Sequence, residues 1–278
     1  MRRSPLRSFV LTLATLATVV MFMAPAGCSR GSTGTPRSSE PVAPVSGRVD
    51  RSTLARALDV TRAVESGRLH VATVLTHVDG EPDPPPGGRL TVARYRVAFD
   101  LRARVVEVQT AMSGAAGAVA GRDAAAGDGH LSVAARMVAH GDAVYAQGGP
   151  MAAAVGRAPS DWVTIERAAF VDREPSSDAA ALLRDPLGPF EVLGDVGVDA
   201  RVVGHDVIRG SPATHLATTA GSAGAAAPID VWIDADGVIR RMEVRLGGGV
   251  RPGGQVVITV DLFDVGEPVD IRPPGGER

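Results

Sequence analysis

Period-two hydrophobicity limits this chain to antiparallel sheet more tightly than any other feature. Leu69, Val71, Thr73 and Leu75 alternate with His70, Ala72, Val74 and Thr76. In an extended chain successive side chains fall on opposite faces, so such a run is a strand with one face for a core and one for water. Tyr95, Val97, Phe99 and Leu101 alternate with Arg94, Arg96, Asp100 and Arg102, and Val106 and Val108 continue the pattern in a third run. Residues 131–139 and 143–146 read as a hairpin turning at His140-Gly141-Asp142, and 162–165 as a further short strand. The C-terminal third is the most regular, with strands expected over 198–208, 213–219, 229–234, 238–246 and 256–262.

The connections carry turn chemistry. Asp234-Ala235-Asp236-Gly237 reads as a tight hairpin turn, glycine supplying the positive φ. A calcium loop would need oxygen ligands at the next alternate places, which Val238 and Arg240 occupy. Residues 79–88, with Pro82, Pro84, Pro85 and Pro86, and the Ala/Gly-rich stretch 113–128 read as long loops. Helices are few. Ser52 or Thr53 is the expected N-cap of one, with Leu54, Leu58 and Val64 on one face and Gly67 as C-cap. Ser176 or Ser177 opens another through 179–183, and Asp185-Pro186 a short one through 190–193. No strand–helix–strand alternation appears, so the fold class is α+β, built on a single curved antiparallel sheet.

Composition closes several chemistries. The chain has 278 residues, 45% of them hydrophobic, which suffices for one sizeable core. All 29 basic residues are arginine, asparagine is absent, and there is one cysteine, Cys28. Lysine-dependent phosphate loops and Schiff bases are therefore excluded, as are disulfides within the chain, paired-cysteine zinc sites and Asn-linked glycosylation. No Gly-x-Ser-x-Gly, His-Glu-x-x-His or Gly-x-Gly-x-x-Gly motif occurs, and the six histidines are scattered. The sequence calls for no catalytic constellation, metal or cofactor.

The N-terminus has the layout of an export signal: Arg2, Arg3 and Arg7, an apolar stretch over residues 9–24, then small residues. The apolar run is 16 residues, shorter than the roughly 20 of a spanning helix, and Pro25 ends it. Ala24-Pro25-Ala26-Gly27-Cys28-Ser29 resembles a bacterial lipobox, with proline where leucine is usual. The resemblance implies cleavage after residue 27 and lipid attachment at Cys28 through acyl chains such as palmitate, placing the protein on the extracytoplasmic face of the cell membrane. Residues 28–50, rich in Ser, Gly, Pro and Thr, read as a flexible tether, and 51–274 as the folded domain. The mature chain carries 26 arginines against 31 carboxylates. That balance gives no ground for a nucleic-acid partner or an anionic-membrane binding face.

The run from Pro228 through Asp230-Val231-Trp232-Ile233 and Asp236-Gly237 to Met242, followed by Val260-Asp261-Leu262-Phe263-Asp264 and Gly266-Glu267-Pro268, resembles the C-terminal half of actinobacterial LppX/LprG-type lipoproteins, relatives in fold of the LolA and LolB lipoprotein carriers. Asp185-Pro186-Leu187 and Gly210-Ser211-Pro212-Ala213-Thr214-His215-Leu216 extend the resemblance over about residues 160–274. It implies a half-barrel with a few helices on its concave face and an apolar cavity that binds or carries acyl chains of a lipid or glycolipid. An envelope transporter is a further candidate partner. On the alternation, the candidate cavity residues are Leu69, Val71, Tyr95, Val97, Phe99, Val244, Leu246, Ile258 and Val260. Periodicity alone fits equally a closed core in an interaction or sensor module. A secreted hydrolase using His205, His215 or Asp206 is the third reading.

Overall fold

The computed structural model describes residues 47–76, 89–113, 131–148, 156–158, 160–173, 177–196, 200–220, 227–247 and 255–274. The described residues form twelve strands: β1 (Arg48–Val49), β2 (Ser66–Thr76), β3 (Arg89–Asp100), β4 (Val105–Ser113), β5 (Leu131–His140), β6 (Ala143–Gln147), β7 (Trp162–Glu166), β8 (Ala200–Ile208), β9 (Ser211–Ala220), β10 (Ala227–Asp234), β11 (Ile239–Gly247) and β12 (Gln255–Phe263). They belong to one open sheet in the order β1-β8-β9-β10-β11-β12-β2-β3-β4-β5-β6-β7, every pair antiparallel. The expected α+β class with a single antiparallel sheet is what the chain adopts.

Two meanders make this sheet. The first runs from β2 to β7; the chain then crosses through α2 (Arg167–Arg173), α3 (Asp178–Arg184) and a 3-10 helix (Gly188–Asp195), and the second meander returns from β8 to β12. Only the β12–β2 pairing, nine residues long in register, joins them. The crossing helices and α1 (Arg51–Arg62) therefore cover one face, here the inner face. One continuous core unites Leu54 and Leu58 of α1, Leu182 and Leu183 of α3 and Phe190 and Leu193 of the 3-10 helix with strand residues from Ala220 of β9 to Ala146 of β6. A sheet so wide can share one small set of helices only by coiling around them.

Local details depart from the sequence reading. The N-cap of α1 is Asp50, whose carboxylate accepts the Ser52 N–H at 2.9 Å, so Ser52 and Thr53 lie inside the first turn. The helix ends at Ala63, and Gly67 is not its C-cap but a residue of β2 paired with Phe99. Ser177 does cap α3, its hydroxyl accepting from Ala180 N–H. The 3-10 helix begins at Gly188 rather than Asp185, and α2 was not foreseen. Arg48 and Val49, expected in the tether, pair with Arg201 and Ala200 at the sheet edge. The Asp234 turn forms as expected: Asp234 Oδ1 accepts the N–H groups of Asp236 and Val238, and Gly237 has φ +83°. The export signal, Cys28, most of the tether and the loops at 79–88 and 114–128 lie outside the described residues.

Connections at the two ends of the sheet are unequal. At the end reached by the starts of β2 and β4, strands are joined by two to four residues, as at Gly141-Asp142 and Arg209-Gly210. At the opposite end β2–β3, β4–β5 and β6–β7 are separated by 12, 17 and 14 residues, and β9–β10 and β11–β12 by 6 and 7.

Candidate ligand-binding face

Register converts the alternation into rows running across the inner face. The central row is Leu216, Val231, Met242, Val260, Val71, Tyr95, Thr110 and Ala135, one residue from each of eight neighbouring strands. One step toward the long connections the row is Thr218, Ile229, Val244, Ile258, Thr73, Ala93 and Met112. One step further, Leu246, Val256 and Leu75 stand in register, all three half-buried. Of the nine candidate residues, Leu69, Val71, Tyr95, Val97, Phe99, Val244, Ile258 and Val260 are buried in the inner core, and Leu246 packs against it while keeping part of its surface open. The sequence therefore placed all nine on one face.

On this face Thr110 lies in the central row and Thr73 and Thr218 one step toward the long connections; all three are buried, and the hydroxyls of Thr110 and Thr218 have no hydrogen-bond partner among the described residues. Tyr95 OH lies 3.2 Å from Asp178 Oδ2, which pins the first turn of α3 to the sheet. Burial raises the Asp178 pKa above the ordinary aspartate value, partly offset by the Tyr95 hydrogen bond, and burial likewise raises the Tyr95 phenol. Below the central row, toward the short turns, the inner rows are aliphatic and aromatic: Leu262, Leu69, Val97, Val108 and Met137, then Phe99, Val106 and Ala139. Asp178 and the two threonines were not singled out in the sequence. Thr110 and Thr218 do continue the period-two runs through Val108 and Leu216, but an unpartnered hydroxyl is a tertiary fact.

Of the residues of the hydrolase reading, His215 and Asp206 fall on the outer face and His205, in register with Thr214, on the opposite one. His215 stacks on Trp232, ring centroids 4.2 Å apart at 12°, and its Nε2 is 2.8 Å from Asp230 Oδ1. Asp206 accepts the Trp232 indole N–H at 2.7 Å, and one of its oxygens stands 3.7 Å from His215 Nδ1. His205 is apart from these, its Nδ1 3.3 Å from the Thr214 hydroxyl. Among the described residues no serine, threonine or cysteine is hydrogen-bonded to His215, so this constellation lacks the nucleophile that nucleophilic hydrolysis requires. Also on the outer face, a depression of about 440 Å³ is lined by Arg48, Arg201, Arg245, Asp230, Thr219 and Pro228 among others. No group of three or more His, Cys, Asp or Glu side chains among the described residues is placed to hold a metal.

Comparison with known proteins leaves the family open. No family model matches the chain, and no curated protein matches it. Among solved structures it is similar to the MucA/MucB complex of Pseudomonas aeruginosa, with 12% identity over 79% of this chain and 58% of that one and a TM-score of 0.33. MucB in complex with MucA(peri) gives 12%, 80%, 58% and 0.32. A LolA-superfamily protein from Nitrosomonas europaea gives 12% identity over 78% of this chain and 94% of that one, with a TM-score of 0.23. The chain thus spans less than two thirds of the MucA/MucB chains it matches, and overlap at this level assigns no residue a role.

Proposed function

We propose that the protein is a cell-envelope lipoprotein of the LppX/LprG kind, held to the membrane through Cys28, that binds an acyl chain of a lipid or glycolipid on the inner face of its sheet and delivers it within the envelope without catalysis. The observation that carries the binding reading is the two buried, unpartnered hydroxyls of Thr110 on β4 and Thr218 on β9, on either side of the strands that carry the half-open Leu246, Val256 and Leu75 row. A core closed on itself has no use for such groups, since each buried hydroxyl left unpaired costs about 1–3 kcal/mol. A polar ester or head group entering with an acyl chain would satisfy one or the other, while the chain itself gains about 0.8 kcal/mol per methylene removed from water. The aliphatic rows below provide the apolar floor, and the long connections end where such a ligand would enter.

Two experiments test the halves of this reading. Protein purified from its native membranes should release lipid on organic extraction and show a matching mass adduct in native mass spectrometry. An adduct-free spectrum would favour the filled-core interaction module. For the anchor, the wild-type chain should partition into the detergent phase of Triton X-114 and Cys28→Ala into the aqueous phase; the same phase for both refutes lipid attachment.

A further inference from the structure

We infer that the outer face of the sheet carries an anion site of phosphate chemistry, built by Arg94 and Arg96 of β3 and bordered by the His70–Arg209 contact. Most arginines near it on this face are neutralised: Arg68 by Asp264, Arg136 by Glu107, Arg209 and Arg241 by Asp261, and Arg245 by Asp230. Arg94 and Arg96, like Arg201 on the edge strand β8, have no carboxylate partner among the described residues. The Nε–H of Arg94 is buried and has no acceptor of any kind. A guanidinium N–H withdrawn from water and left unpaired is an unusual and costly arrangement, and one that an incoming oxyanion relieves.

The register explains how both arginines can serve one ligand. They are two residues apart on one face of β3, roughly 7 Å along the strand, within the span of two guanidinium groups around one phosphate. Arg94 pairs with Ala72 on one side and Ala111 on the other, so short side chains flank it, and it is half-buried. Arg96 is exposed and pairs with His70, whose Nδ1 is 3.4 Å from Arg209 Nη2. Arg94, Arg209 and Arg96 all act on His70, whose pKa is lowered by burial first and then by these cations, with Asp261 opposing. Summed over the whole chain the formal charge is -2, and that sum conceals the site because the nearest acids on this face, Asp261 and Glu107, are already paired with Arg209, Arg241 and Arg136.

The test follows the arginine Nε–Hε resonances of the full chain by NMR during titration with inorganic phosphate and, separately, with glycerophosphoglycerol, a soluble phosphodiester head group. The Arg94 and Arg96 resonances should shift saturably, with affinity about tenfold weaker in Arg96→Gln. Arg68→Gln should bind as the wild type does. Preference for the diester assigns the site to a lipid head group; preference for inorganic phosphate assigns it to a free ion. Arg96 is exposed, so its glutamine variant keeps the test decisive should Arg94→Gln misfold. Unshifted resonances with both anions, or undiminished affinity in Arg96→Gln, would overturn the inference.

Discussion

Phe99 covers Gly67: the two pair across β3 and β2, and the ring Cζ lies 3.3 Å from the position a β-carbon on Gly67 would take. On its other side that position is 3.3 Å from the carbonyl oxygen of Phe263. Glycine in a strand lacks a side chain to pack, and an aromatic ring laid across it from the neighbouring strand restores the lost burial. Phe99 is fully buried, so neither ring nor backbone carbonyl has room to yield. Gly67→Ala should therefore destabilise the fold by about 1–2 kcal/mol, overpacking outweighing the alanine's smaller unfolded-state entropy. Urea denaturation should show a lower midpoint with an unchanged slope.

The same glycine marks what could be read from the sequence. Alternation placed Leu69, Val71, Tyr95, Val97 and Phe99 on the correct face because period two is a local property of an extended chain. A glycine soon after an amphipathic run reads as a helix cap, and only the Phe263 carbonyl and the Phe99 ring, distant in sequence, show that it serves close packing instead. Helix α2 escaped notice because it is only seven residues long, with Phe170 on the inner core. The β12–β2 seam is likewise invisible locally, since it joins residues nearly two hundred positions apart.

Thr61 ties α1 to the sheet at a point that no apolar residue can replace. Its buried hydroxyl donates to Ala57 O at 2.7 Å and accepts the Ile239 N–H at 3.0 Å. Thr61→Val keeps the shape and strands the Ile239 N–H in the core, a loss of about 1–3 kcal/mol. Amide exchange at Ile239 should accelerate in this variant.

Asp178 makes stability depend on acidity with an unusual sign. Its carboxyl has a raised pKa in the folded chain, chiefly through burial, so between the unfolded value near 3.8 and the higher folded value the native state holds the extra proton. The contribution of this group is therefore complete below pH 3.8 and is lost as pH rises through the folded pKa. Tyr95→Phe removes the hydrogen bond that favours the ionised form. The window should then extend to higher pH, and unfolding free energies measured from pH 4 to 7 should fall over a wider range than in the wild type. In Asp178→Asn this component should vanish from the profile; an unchanged slope would contradict the assignment.

Thr218 and Thr110 separate a ligand site from a merely imperfect core. In the ligand-free chain their hydroxyls are buried without partners, so Thr218→Val exchanges an unsatisfied polar group for a methyl of the same shape. Thermal unfolding of the delipidated protein should show stability unchanged or raised, by up to about 1 kcal/mol. Binding should move the other way: if a ligand's ester or head-group oxygen meets these hydroxyls, displacement of a fluorescent fatty acid ester from the Thr110→Val/Thr218→Val chain should reveal about tenfold weaker affinity. Leu246→Glu, on the half-open row, should weaken the same probe by placing a carboxylate along the acyl path while leaving the buried rows intact. A double valine variant that is more stable and binds the probe as tightly as the wild type would locate the ligand away from these two threonines.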